Sequence, residues 1–210
     1  QMQQAADRLG EQDARAAEQR QQEALQELQE TLNELSDALR QTREEEIEET
    51  LGALESRFRA ILAREEQLRE GIIPHHQKTT RTRTDELALA ELAAGQTALT
   101  QETASVQQLL VDEGTTVLMP ELVGNVQADM RTVAARLTQY DASAATVQVV
   151  DDILAALREI LGAIEKRRAD MNQQNQSGQP QQQQGSNGNT ALLPNSAELK
   201  LVRTAQVRIN

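Results

Sequence analysis

The chain has 210 residues and a formal net charge of −12, and it contains one Phe, one Tyr, no Trp and no Cys. Without cysteine it cannot form disulfides, thiol nucleophiles or cysteine-based zinc sites, and its acidic surface disfavours nucleic acid and anionic lipid as partners. Because aromatic side chains for a thick core are scarce, and because Leu, Ala, Glu, Gln and Arg favour helix, the composition predicts an all-α protein whose helices pack along narrow seams.

The N-terminal part of the chain is predicted to form a helical hairpin end followed by one long coiled-coil-type helix. Residues 1–9 carry apolar side chains at helical spacing, Gly10 can supply a left-handed stop, and Asp13 can cap a new helix. The helical pattern then continues without a proline to Ile73, and Pro74 ends it. These signals predict that a short first helix folds back onto a long second one.

The long helix carries a seam of apolar residues at steps of mostly three or four. The seam comprises Leu25, Leu28, Leu32, Leu35, Leu39, Ile47, Leu51, Leu54, Phe58, Ile61, Leu68 and Ile72. This spacing is typical of a coiled coil, although the step from Leu39 to Ile47 is eight residues, with Arg43 between them, and predicts a local relaxation of the supercoil. A single helix cannot bury such a stripe. The seam is therefore predicted to be covered either by the later helices, in an elongated intramolecular bundle, or by another chain in a homomeric or heteromeric coiled coil.

The stretch 85–171 is predicted to add three helices to the bundle. A polar loop, 75–84, precedes it, and Thr82 or Thr84 can cap the first of these helices, which Gly114 can end. The predicted helices span 85–112, 120–140 and 145–171. The apolar positions predicted for the first of them are Leu87, Leu92, Leu99, Val106, Leu109 and Leu110.

The C-terminal part changes character. Glutamine dominates a stretch that is predicted to be a disordered linker, and a short amphipathic helix with Leu199 and Val202 on its apolar face follows it. A flexible tether that carries such a helix is a common arrangement for docking into a partner groove. The predicted organisation is a helical hairpin end plus long helix at 1–74, a loop at 75–84, a bundle segment at 85–171, a linker at 172–192 and an amphipathic helix at 193–210.

No residues are predicted to be catalytic, cofactor-binding or metal-binding. His75 and His76 are adjacent, unlike the spaced histidines of a helical metal site, and are interpreted as exposed loop residues. The acidic run from Glu44 to Glu49 is interpreted as a solvated helix face. The sequence contains no glycine-rich phosphate loop, no calcium-loop spacing and no nucleophile motif, so it predicts a protein that is not an enzyme and has no cofactor.

Several stretches resemble known helical proteins of bacteria. The N-terminal run QMQQAADRLGEQDARAAEQRQQEALQEL resembles helical segments of DUF4175-type membrane proteins. The segments REEEIEETLGALESRFRAILAREEQL, DEGTTVLMPELV and LLPNSAELKLVRTAQVRIN resemble coiled-coil envelope proteins of planctomycete-type bacteria. The resemblance implies an extracytoplasmic or membrane-associated location, and it carries over no functional residue.

The sequence therefore predicts a structural or interaction protein that acts as a scaffold and is a piece of a longer envelope-associated protein. Its expected partner is a protein or a second copy of itself, bound through helical seams, and no transmembrane segment is expected in this chain. The alternative is a tetratricopeptide-like module that binds peptides, motivated by the predicted short hairpin within 1–40. Weak binding to a membrane surface through 195–209 is a further hypothesis.

Overall fold

The computed structural model describes residues 2–114, 116, 118–177, 192, 193 and 199, with side chains described from residue 16 to residue 173 of those ranges and at the last three positions. The described residues are all-α and contain no strand, which confirms the predicted fold class. The elements are α1 (Met2–Ile72), a 3-10 turn (Ile73–His75), α2 (Arg83–Glu113), α3 (Leu118–Thr138) and α4 (Ala144–Ser177).

The predicted hairpin at the N-terminus is wrong, because α1 continues through Gly10 and Asp13 without a break. Glycine inside a helix costs only about 1 kcal/mol relative to alanine. The Ala, Gln, Glu and Arg residues on both sides of Gly10 are strong helix formers and outweigh that cost. The short hairpin that motivated the hypothesis of a tetratricopeptide-like module is therefore replaced by one continuous helix.

The chain divides into two compact units, Gln1–Glu46 and Ile47–Asn210. The first unit consists of the N-terminal part of α1, in which every side chain from Ala17 to Arg43 is exposed. The second unit contains the rest of α1 together with α2, α3 and α4.

The helices of the second unit form an up-and-down bundle. Contacts between neighbouring helices run in opposite order along the two partners, so each pair is antiparallel. The pairs are Gly71 with Leu92 and Arg64 with Glu102 between α1 and α2, Gln107 with Pro120 and Thr100 with Gln127 between α2 and α3, and Arg69 with Asp151 and Glu55 with Arg168 between α1 and α4. Since α1 is antiparallel to both α2 and α4, the four directions alternate along the chain.

The core of the bundle is built from aliphatic residues, three methionines and one phenylalanine. Phe58 is fully buried, and the seam positions predicted between Ile47 and Ile72 are all buried, which confirms that part of the seam as a core face. Leu87, by contrast, is 58% exposed. It lies two residues before the buried Leu89, and residues two apart do not share a helix face.

The start of α2 is fixed by a capping box. The Thr82 hydroxyl accepts a hydrogen bond from the Asp85 backbone N–H, and the Asp85 carboxylate accepts one from the Thr82 backbone N–H. The Lys78 ammonium and the Thr82 hydroxyl also donate to the Asp85 carboxylate. The bonds from Lys78 and from the Thr82 backbone and side chain hold the pKa of Asp85 well below its usual range. At the other end Gly114, with φ of 65°, adopts the left-handed conformation predicted for it.

Thr82→Ala is expected to destabilise the protein by about 1 kcal/mol, because one donor at the start of α2 loses its partner. The matched control is Thr84→Ala, since Thr84 is exposed and lies inside α2 rather than at its cap. Urea unfolding followed by circular dichroism measures both. Equal losses in the two variants would contradict the assignment of the cap to Thr82.

The turn between α3 and α4 contains the only tyrosine. Tyr140 has φ of 58°, a left-handed conformation that a bulky side chain rarely adopts. Its backbone N–H donates to the Leu137 carbonyl at 2.9 Å, and the Asp141 N–H donates to the Arg136 carbonyl at 2.8 Å. These bonds satisfy carbonyls that the end of α3 leaves free, so they hold the residue in this conformation.

The C-terminal predictions are only partly within the described residues. α4 continues to Ser177, so the predicted disordered linker is wrong for 172–177, where the Gln residues extend the helix. It is also wrong for Leu192, which is buried with Leu193 against the core, while the Arg167 side chain donates to the Leu192 carbonyl at 3.2 Å. The predicted helix 195–209 lies outside the described residues except for Leu199, which is exposed.

Candidate interaction surface

Five leucines form an uncovered stripe along the N-terminal part of α1. Their exposed fractions are 64% for Leu25, 63% for Leu28, 64% for Leu32, 66% for Leu35 and 53% for Leu39. Single exposed leucines are ordinary on a protein surface, whereas a contiguous exposed apolar row is typical of an interaction site. We call these five residues the leucine stripe. Of the two coverings predicted for the seam, the intramolecular one is found from Ile47 onward, whereas the leucine stripe is exposed among the described residues.

The leucine stripe has uncharged margins. In a heptad written abcdefg, Leu25, Leu32 and Leu39 occupy position a, and Leu28 and Leu35 occupy position d. The neighbouring e and g positions are Ala24, Gln29, Thr31, Ser36 and Ala38. Between residues 23 and 40, the ionisable residues all lie at the outer positions b, c and f. They are Glu23, Glu27, Glu30, Glu34, Asp37 and Arg40.

The outer face of the segment makes its own polar contacts. Gln26 Nε2 donates to Glu30 Oε1 at 3.1 Å, and Arg40 lies 3.2 Å from Asp37. Both pairs join positions b and f of the heptad. These groups are therefore satisfied on the side of the helix away from the leucine stripe, and the stripe itself offers only apolar contact.

The two histidines are not the exposed loop residues that the sequence predicted. His75 belongs to the 3-10 turn, and both side chains are partly buried. His75 Nδ1 lies 3.2 Å from Asp85 Oδ1, and His76 Nδ1 lies 3.0 Å from the Ile73 carbonyl oxygen. Their contacts are thus with the cap of α2 and with the turn. In the part of the chain that the structure describes, no group of three or more His, Asp or Glu side chains is placed to hold a metal ion.

A buried acid that the sequence analysis missed lies between α1 and α2. Glu65 is fully buried, and its Oε2 accepts a hydrogen bond from Gln96 Nε2 at 3.0 Å. The other side-chain oxygens of both residues, Glu65 Oε1 and Gln96 Oε1, are buried and have no hydrogen-bond partner among the described residues. Burial raises the pKa of Glu65 to about 7, against the opposing effect of the Gln96 hydrogen bond. A signal existed, because position 65 falls in the seam between Ile61 and Leu68.

A charged cleft lies between α1 and α4 and has a volume of about 360 Å³. Its lining consists of Glu66, Arg69, Glu70, Asp151, Leu154 and Arg158. Arg69 pairs with Asp151, and Arg158 pairs with Glu66 at 2.6 Å, with each of these side chains at least 37% exposed. Both arginines are thus paired with acids in contact with water, and Glu70 adds one further negative charge. The cleft is chiefly a set of surface ion pairs that link two helices.

The acidic run is exposed at Glu45, Glu46 and Glu49 and partly buried at Glu44 and Glu48.

Across the described helices, none combines the length and the apolar character that a membrane span requires. Comparison with family models, with curated proteins and with solved structures found no match. The function is therefore inferred from the residues themselves.

Proposed function

We propose that this chain is a non-enzymatic interaction protein, in which the helical bundle is a stable anchor and the leucine stripe binds a helix of a protein partner. The observation that carries the proposal is the row of five leucines, each more than half exposed, on one helix. A helix with a similar apolar row can place its side chains between them, as in a coiled coil.

The free energy available at the leucine stripe is consistent with binding. Burying the exposed part of each leucine is worth roughly 2 to 3 kcal/mol. The five together therefore provide roughly 10 to 15 kcal/mol, which falls within the range of the cost of bringing two molecules together. Net affinity then requires the partner to bury a comparable apolar row of its own, and this requirement selects an amphipathic helix.

The non-enzymatic part of the proposal is supported by the structural use of the polar groups. Asp85 caps α2, both arginines of the cleft are paired with acids, and His75 contacts the cap. Glu65 has a raised pKa but is enclosed between two helices, away from solvent. A general acid must reach a substrate, and this side chain does not.

The resemblance to envelope proteins of bacteria favours an extracytoplasmic or membrane-associated location for the scaffold. Fractionation of source cells tests this location: recovery with the envelope fraction supports it, and recovery only with the cytosol contradicts it.

Site-specific photo-crosslinking tests the binding role. A photoreactive amino acid is placed at Leu32, in the centre of the leucine stripe, and at Asn33, on the outer face, in two separate proteins expressed in source cells. Leu32→photoreactive residue is expected to give a discrete protein–protein adduct that the Asn33 variant does not give. Equal adduct patterns from the two positions, or no adduct from position 32, would contradict the proposal.

A further inference from the structure

We infer that the occupant of the leucine stripe is a second copy of this chain, bound in parallel and in register. The inference rests on the proposed function and adds the identity and orientation of the partner. Three observations carry it: the distribution of charge around the stripe, the number of leucine layers that each orientation forms, and the apolar area that two copies bury.

The charge around the stripe matters because two chains of net charge −12 repel each other in general. At the leucine stripe this repulsion is minimised, since the e and g positions between Ala24 and Ala38 are uncharged and the acids lie at the outer positions. Coiled coils that select a different chain usually do so through complementary charges at e and g. The leucine stripe has no charged e or g residues to select a different chain, so the identical apolar row of a second copy is the partner that matches it.

The ends of the stripe are also defined by charge. Glu18 and Glu46 occupy the a positions one heptad before Leu25 and one heptad after Leu39. In a parallel pair these carboxylates would face their own copies, and like charges in a seam oppose pairing. The paired region is therefore limited to residues 21–42, about three heptads, which is near the lower limit for a coiled coil.

Orientation follows from the spacing of the leucines. In a parallel, in-register pair each residue faces its own copy, so all five leucines form leucine–leucine layers. An antiparallel pair places a positions opposite d positions, and with this spacing four leucine–leucine layers form while an end leucine faces either Gln21 or Thr42. The parallel arrangement thus places every leucine opposite a leucine, whereas the antiparallel one places an end leucine of each chain opposite a polar residue.

The area is sufficient for a specific dimer. At the observed exposures each leucine presents roughly 100 Å² of apolar surface, so two stripes provide roughly 1,000 Å². That matches the area of about 1,000 Å² that separates specific interfaces from incidental contacts.

The first experiment measures the solution mass of the full chain by light scattering coupled to size exclusion, at about 50 µM, well above a micromolar dissociation constant. The expected mass is twice 23.2 kDa. Leu28→Lys with Leu35→Lys is expected to halve the mass, because both d positions become charged. The matched control, Gln26→Lys with Asn33→Lys, adds the same charge at outer b positions and is expected to remain a dimer.

A monomeric wild-type chain, or a species of three or more copies, overturns the inference. So does a dimer that survives Leu28→Lys with Leu35→Lys. Circular dichroism of each variant verifies that the helices are retained, so loss of the dimer is not confused with loss of the fold. These failures are distinguishable from failure of the proposed function: a monomer whose position 32 still crosslinks to a different protein in source cells keeps the binding role and removes only self-association.

The second experiment determines orientation, using the absence of native cysteine. Gln21→Cys places a thiol at the d position before the stripe, where a parallel pair brings it opposite its own copy. Mild oxidation is expected to give a disulfide-linked dimer on a non-reducing gel. Asn33→Cys, on the outer face, is the control and is expected to remain unlinked. Absence of the Gln21→Cys disulfide in a chain that is dimeric by mass, or equal linkage of the two variants, overturns the parallel arrangement.

Discussion

Glu65→Gln is expected to raise the free energy of unfolding at pH 8 by about 3 kcal/mol, an order-of-magnitude value that follows from a native pKa of about 7 against a reference of 4.5. Above pH 7 the wild-type protein must either keep a carboxylate in the interface of α1 and α2 or deform to hydrate it. Glutamine has the same shape and no charge, and it can both donate to Gln96 and accept from it.

The sign of the pH dependence follows from the direction of the shift. Between pH 4.5 and about 7, Glu65 binds a proton in the native state and has lost it in the unfolded state. The stability of the wild-type protein contributed by this group therefore falls as pH rises through that interval and is constant below it. At pH 4 the variant and the wild type are expected to differ little.

The measurement is urea unfolding of the wild type and Glu65→Gln between pH 4 and pH 9. Glu70→Gln is the matched control, because Glu70 lies on the same helix and is exposed. The difference between wild type and Glu65→Gln is expected to grow across the interval, while that for Glu70→Gln stays near zero. A difference that is independent of pH would show that the carboxylate ionises as easily in the native state as in the unfolded one.

Replacing Leu192 and Leu193 by alanine together is expected to cost about 4 kcal/mol or more, because buried Leu→Ala changes cost about 2 to 5 kcal/mol each. Both leucines are 1% exposed, although they follow a Gln-rich stretch whose composition predicts a linker. The expected loss treats the two residues as part of the core rather than as a weakly attached tail.

Leu199→Ala is the matched control, since Leu199 follows a few residues later and is 65% exposed. Its expected effect is within about 0.5 kcal/mol. Thermal or urea unfolding of the two variants provides the comparison. If the double variant is no less stable than Leu199→Ala, the pair detaches at little cost and does not belong to the core that the structure assigns to it.

The sequence was sufficient for the elements whose signals are local. Thr82, one of the two residues predicted as a cap, forms it with Asp85 through bonds within one turn, and Gly114 ends α2 because glycine accepts a left-handed φ. The seam positions from Ile47 to Ile72 lie on one helix face because of their spacing. In each case the deciding interaction is made with near neighbours or follows from spacing alone, so a single sequence contains it.

Other features depend on competition between distant groups, and the sequence could not decide them. Gly10 carried a stop signal, but the helix propensity of its neighbours prevailed. Leu192 lay in a polar context, yet its burial depends on a core surface supplied by other segments. For the leucine stripe the heptad spacing is the same whether the partner is another helix of the chain or another molecule, so spacing alone left both coverings open.

Tyr140 gives the protein a built-in optical probe. It is the only tyrosine, there is no tryptophan, and it lies in the turn between α3 and α4 with its backbone in a left-handed conformation. Its fluorescence therefore reports on one known point of the bundle without a label. Any process that loosens the junction of α3 and α4 should change that signal, while events confined to the leucine stripe should leave it constant. A single spectrum can then separate opening of the bundle from assembly of the molecule.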